Sequence, residues 1–338
     1  MNKFLFILFV AISCTLASFR NATSDSVIIA EIPEGWPTTL YDLTQITEPG
    51  FQLGRKIFYD PKLSRDETIS CASCHLQFTG FTHVDHNVSH GIEGRKGTRN
   101  APALINLAWN SSFHWDGGVN HIEVQAINPI QHPAEMDNSL EIVLDYLNNS
   151  QEYRELFYQA FQDSTPTTKH LLKAIAQFTG SLISSNSRYD QYMREEIKFT
   201  SQEKQGLKLF RKHCNKCHTE PLFNTNAYAS NGLLIDTAFN DVGRYAITTV
   251  PVDSFKFRVP TLRNIQYTFP YMHDGRFKKL REVITHYTEG IDYNNPYLSV
   301  ELRRKIDLSE NDKKDLISFL HTLTDKTFLY NERFTFPR

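Results

Sequence analysis

Cys71-Ala72-Ser73-Cys74-His75 and, in the second half of the chain, Cys214-Asn215-Lys216-Cys217-His218 decide the fold. Both read C-x-x-C-H. The fifth cysteine, Cys14, stands alone near the N-terminus. An odd count split into two close pairs and a singleton is not a disulfide framework. Two thiols three positions apart can reach the two vinyl groups of one porphyrin and form thioethers. The adjacent histidine is then held under the iron as axial ligand. Zinc ligation and a redox disulfide are the competing uses of such pairs. Zinc ribbons do not require histidine at the fifth place of both copies, and redox motifs do not come in two domain-spaced copies. The pattern predicts two covalent c-type haems, one on Cys71, Cys74 and His75, the other on Cys214, Cys217 and His218.

Working outward, each motif is preceded by a similar helix-like segment. Gly54-Arg55-Lys56-Ile57-Phe58 comes before the first and Gly206-Leu207-Lys208-Leu209-Phe210 before the second. Thr200 and Glu203 read as a capping box opening the second of these helices. Each half closes on another helix, and Phe178-x-x-Ser181-Leu182 in the first matches Phe319-x-x-Thr322-Leu323 in the second. Ser309 is the expected N-cap of the latter. Ser184-Ser185-Asn186-Ser187 reads as a polar connection between the halves. Strand signals are sparse. The expectation is a mainly α tandem duplication, residues 49–185 and 186–338, with long irregular loops that need something to pack around. An irregular segment, 18–48, carries Pro33, Gly35 and Pro37.

The chain has 338 residues, about two domains' worth. Its 36 Lys and Arg against 38 Asp and Glu give a net charge of −2. That leaves no basic excess for nucleic acid. The hydrophobic share, 40%, is slightly lean. Two macrocycles would complete the core. At the N-terminus, Lys3 precedes the apolar run Phe4 to Ile12, the length of a signal-peptide core and too short to span a bilayer. Residues 1–17 are read as that leader. Val10-Ala11-Ile12-Ser13-Cys14 looks like a lipobox, with Cys14 acylated after cleavage; the alternative is an ordinary cut after Ala17. Either reading exports the protein to the periplasm or beyond. A membrane association would come only through the lipid.

The longer motifs resemble one family. Gly97-Thr98-Arg99-Asn100-Ala101-Pro102, Phe113-His114-Trp115-Asp116-Gly117, Glu123-Val124-Gln125-Ala126, Pro133-Ala134-Glu135-Met136, Val259-Pro260-Thr261-Leu262-Arg263-Asn264 and Pro270-Tyr271-Met272-His273-Asp274-Gly275 occur in this order around the two C-x-x-C-H sites. The chain from about Pro49 to Leu323 is thereby similar to the bacterial di-haem cytochrome c peroxidase and MauG family. The resemblance implies two tandem cytochrome c-like domains, with the haem on His75 peroxidatic. It makes Glu135 the distal acid–base residue, with Gln125 ordering the distal pocket and Trp115 carrying electrons between the haems. It also implies a calcium ion between the haem domains, held by Asn100 and the carbonyls of Thr268 and Pro270; hard oxygen ligands suit that ion. Standing alone, Trp115 would be a core aromatic and Glu135 a solvated carboxylate.

Two positions depart from the peroxidase branch. There, a histidine loop caps the peroxidatic iron in the oxidised enzyme. Here the loop is Ser89-His90-Gly91-Ile92-Glu93-Gly94, with His90 the best candidate ligand, His83 and His86 its rivals, and MauG-like five-coordinate iron the alternative. At the other iron, the place of the family's axial methionine falls on Tyr287, and MauG has a tyrosine there. Met272 precedes the motif's histidine and is not aligned with that ligand; His286 is adjacent. Thioether ligation favours reduced iron, whereas a phenolate does the reverse. Gly118 stands where the family often has Arg.

A relay haem keeps both axial positions filled, whereas one that activates peroxide needs an open side and a nearby proton carrier. Glu135 and Gln125 supply such a pair. The expected activity is therefore an oxidoreductase reducing hydrogen peroxide to water. Its electrons would come from a small cytochrome c or cupredoxin, enter at the C-terminal haem and pass to the N-terminal one. A MauG-like alternative withdraws the electrons from an oxidisable protein or organic substrate. A non-catalytic di-haem electron carrier is the third reading. The family further suggests a homodimer.

Overall fold

A computed structural model describes residues 30–235 and 239–337. The proposed leader and Cys14 lie outside them. The described chain is mainly helical, and its strand content is one two-residue antiparallel pairing, Tyr228–Ala229 with Phe257–Arg258. No helix among the described residues is long and apolar enough to cross a membrane.

The duplication is visible as two crossed helix pairs. Glu48–Tyr59 packs on Thr168–Gly180, and Ser201–His213 packs on Glu310–His321. Each crossing is closed by a glycine. A β-carbon on Gly54 would lie 2.0 Å from the Ala174 carbonyl, and one on Gly206 would lie 2.0 Å from the Asp315 carbonyl. The repeated glycines thus let two backbones touch where any side chain would hold them apart. Phe178 in the first pair and Phe319 in the second flank those contacts and are fully buried.

The caps follow the sequence. Thr200 Oγ1 accepts from Glu203 N–H at 3.1 Å while Glu203 Oε2 accepts from Thr200 N–H at 2.7 Å, the reciprocal pair expected there. Ser309 opens its helix in the same way with Asp312. Each C-x-x-C-H follows the first helix of its pair, so the helix crossing fixes where the thiols and the imidazole emerge.

Two apolar clusters fill the first half and one the second. The chain's last turns are the surprise. Phe328, Leu329 and Phe334 join Phe51, Phe58, Phe81 and Phe178 in the first half's core. Tyr59 Oη and Arg55 Nη1 donate to the Phe334 and Arg333 carbonyls, both at 2.7 Å. Arg263, fully buried, donates a fork to Asp190 (2.9 and 2.8 Å), and a second fork from Arg99 ties Asp241 to the first half (2.6 and 2.7 Å).

Candidate haem and peroxide site

Both histidines of the C-x-x-C-H motifs are oriented in the same manner. The Nδ1 of His75 faces the Phe81 carbonyl at 2.7 Å, and that of His218 faces the carbonyls of Phe223 and Pro260, each at 3.1 Å. A carbonyl only accepts, so Nδ1 carries the proton and Nε2 keeps its lone pair, the tautomer a metal ligand needs. Burial pushes both imidazoles down to about 4, which keeps them neutral near pH 7. The four thiols are free, and burial raises Cys71 and Cys214 to about 12 and Cys74 to about 11. Two free thiols beside a neutral, oriented imidazole fit thioether attachment and ligation of one haem per motif.

The second motif opens on a cavity of about 250 Å³. Cys214, Cys217 and His218 line it, with Tyr287 and Met272 among the other walls. Tyr287 lies in a single π-turn, His286–Gly290, that continues the helix Leu280–Thr285. Such turns rotate successive side chains away from the helical register and recur at functional sites. The rotation separates the two rivals: His286 Nε2 turns to the Asn231 carbonyl at 3.0 Å, while Tyr287 faces the cavity. Burial pushes its phenol up to about 12. Met272 also reaches this space, its sulfur accepting from Asn231 Nδ2 at 3.3 Å.

Asn100, Thr268 and Pro270, the three residues expected at the calcium site, are all on the wall of the same cavity. Asn100 gives its N–H to the His273 carbonyl at 2.7 Å and its Nδ2 to the Asn87 carbonyl at 3.1 Å, leaving Oδ1 as an acceptor. Trp115 is another wall. It is buried and donates Nε1–H to the Asn100 carbonyl at 2.8 Å, which fixes the indole plane.

At the first motif, three segments converge. Cys74 Sγ contacts the His90 carbonyl at 3.4 Å, and Ile92 N–H donates to the Glu135 carbonyl at 2.9 Å. Glu135 itself keeps 36% of its side chain exposed, yet its partial burial raises the carboxyl above the ordinary range. His132 opposes that shift weakly from 4.0 Å. Gln125 sits half-buried in the turn before the helix Ile127–Gln131, with its backbone beside the His114 ring. His90 Nδ1 is engaged by the Val88 carbonyl at 3.1 Å, and its ring lies 3.9 Å from that of His86, which stacks on His83 at 5.2 Å.

Two residues escaped the sequence reading. His114 is half-buried, with its Nε2 shielded from solvent and unpartnered among the described residues, and it is close enough to act electrostatically on His75; His83 does the same. Arg258, on the short second strand, is buried against the cavity with Nε unpartnered. Only the unpaired burial of these nitrogens marks them, and that is invisible in a lone His or Arg.

A duplicated helix-pair fold with one oriented His and two thiols per copy defines a di-haem c-type protein. The comparisons agree. The family model for di-haem cytochrome c peroxidase matches residues 48–198. The methylamine utilization protein MauG of Methylorubrum extorquens is 34% identical over 82% of this chain and 79% of its own length. Cytochrome c551 peroxidase of Nitrosomonas europaea is 32% identical over 81% and 79%. A crystal structure of a MauG-like protein associated with microbial copper homeostasis superposes with a TM-score of 0.82 at 33% identity, covering 91% of this chain and 98% of that one. The chain belongs to the di-haem cytochrome c peroxidase and MauG family.

Proposed function

We propose that the protein is an exported, periplasmic di-haem oxidoreductase that reduces hydrogen peroxide to water at the site built on His75. The observation that carries this reading is Glu135, a carboxyl raised by its surroundings and set against the loop that touches Cys74. A haem bound there supplies an iron that takes up peroxide and exchanges single electrons. The chain supplies the rest. His75, neutral and fixed through Phe81, would offer Nε2 to the iron. Glu135 accepts a proton from one peroxide oxygen and returns it to the other, so that the departing group leaves as water. Over the cycle, H2O2, two protons and two electrons give two molecules of water. Trp115, its indole fixed by Asn100, is the electron path from the His218 side, and Asn100, Thr268 and Pro270 would hold a calcium ion beside that path.

Tyr287 favours a second reading of where the electrons originate. A phenolate on the second iron stabilises its oxidised forms. That suits withdrawal of electrons from a protein or organic substrate better than delivery from a small cytochrome c or cupredoxin. Optical and EPR spectra of the holoprotein separate the two. High-spin iron in the fully oxidised protein supports the substrate-oxidising variant; high-spin iron appearing only on half-reduction supports a peroxidase capped by His90. The absence of peroxide consumption in either state would remove both.

A further inference from the structure

Among the described residues, no counter-charge pairs with Arg258. Its side chain is 7% exposed, lines the cavity of the second motif, and forms no ion pair among the described residues. Among the described residues, the carboxylates on the adjoining segments are taken: Asp116 and Asp241 by Arg99, and Asp274 by Arg276. Glu301, also on the cavity wall, is exposed. Among the described residues, Tyr228 is the titratable group that acts on the guanidinium to favour its charge. Guanidinium does not lose its proton in proteins, and an isolated buried charge is costly enough that an anion is required. The strand pairing fixes the residue in place, with Arg258 opposite Tyr228 and its N–H donated to the Trp115 carbonyl at 2.7 Å.

We infer that Arg258 binds a carboxylate side-arm of the haem held by Cys214, Cys217 and His218, forking both donors onto one propionate. The inference rests on that cavity holding a haem. Arg258 is then a positioning residue: it neutralises the propionate where the cavity abuts Trp115 and sets the charge that the second iron experiences. A fixed cation beside an iron disfavours its oxidised, more positive state, so Arg258 raises the midpoint potential. This opposes a Tyr287 phenolate, and the two together set the potential of that haem.

The test compares wild type, Arg258→Lys and Arg258→Gln as holoproteins. Spectroelectrochemistry reads the midpoint potential of the C-terminal haem, and resonance Raman reads its propionate-bending band. R258Q is expected to lower the potential and move the band furthest. R258K, which keeps the charge but not the fork, should stay near the wild-type potential with an intermediate band shift. A potential and band unchanged in both variants would overturn the inference. If R258Q does not mature, an unmoved band in R258K alone does so. Haem staining and pyridine haemochrome of the wild type guard the premise. Attachment at a single motif would sink the di-haem reading, whereas two haems with silent Arg258 variants would sink only this one.

Discussion

Glu135 and Tyr287 carry the chemistry most open to test at the level of single residues. Glu135→Gln should lose most peroxide turnover, on the order of the 10²–10⁴-fold that a positioned proton carrier contributes, while both haems stay attached; steady-state assays with haem staining check it. The pH profile follows from the raised carboxyl. Glu135 must be ionised to take the first proton, so kcat/KM should fall as pH drops through its elevated value, with the loss starting above the ordinary carboxylate range. Replacing Tyr287 with Met should raise the potential of the second haem. An unchanged potential and axial spectrum would show that the phenol is not on iron and turn attention to Met272. The paired thiols and the histidine after each pair were legible in the sequence through the C-x-x-C-H spacing, and the motif around Glu135 through its resemblance to the family. His114 and Arg258 were not. Their significance is a missing partner, and only the packed structure shows which partners are already engaged.

At the scale of elements, the repeat Gly54-x-x-x-Phe58 and Gly206-x-x-x-Phe210 predicted two similar helices, and the structure gives the reason for the glycines. Gly54→Ala and Gly206→Ala each force a methyl into a facing carbonyl, so each should cost about 1–3 kcal/mol or more by overpacking. Thermal melts of the two variants check it. The helix boundaries at Thr200 and Ser309 were legible through their caps, since Ser or Thr followed by Glu or Asp satisfies the free N–H groups locally. The buried fork between Arg263 and Asp190 was not, because its partners lie far apart in sequence. Asp190→Asn should destabilise by roughly 3–5 kcal/mol by leaving the guanidinium unpaired. The guanidinium holds the Asp190 carboxyl below its ordinary value, so the ion pair stabilises the fold above that range. This contribution is lost as pH falls through the depressed folded value. Acid titration should therefore show the variant less sensitive than wild type in that window.

Over the whole molecule, the mainly helical duplication with sparse strands was readable from the two motifs and their flanking helices. The return of the C-terminal turns to the first half was not, since nothing local in Phe328, Leu329 or Phe334 names a partner hundreds of residues earlier. Ending the chain at Asp325 removes three buried side chains from that core, each worth about 1.5–3 kcal/mol. Hydrogen exchange should then show the helix Glu48–Tyr59 losing protection before Ser201–His213 does. The same closure sets an order of assembly. On the proposed export, a chain threaded out N-terminus first would present Cys71 and Cys74 long before Phe334 emerges, so the Phe328–Phe334 wall of their half would follow the thiols. The first attachment site would then stay open to the machinery of maturation until that segment has followed, and Phe328, Leu329 and Phe334 would act as its closing door.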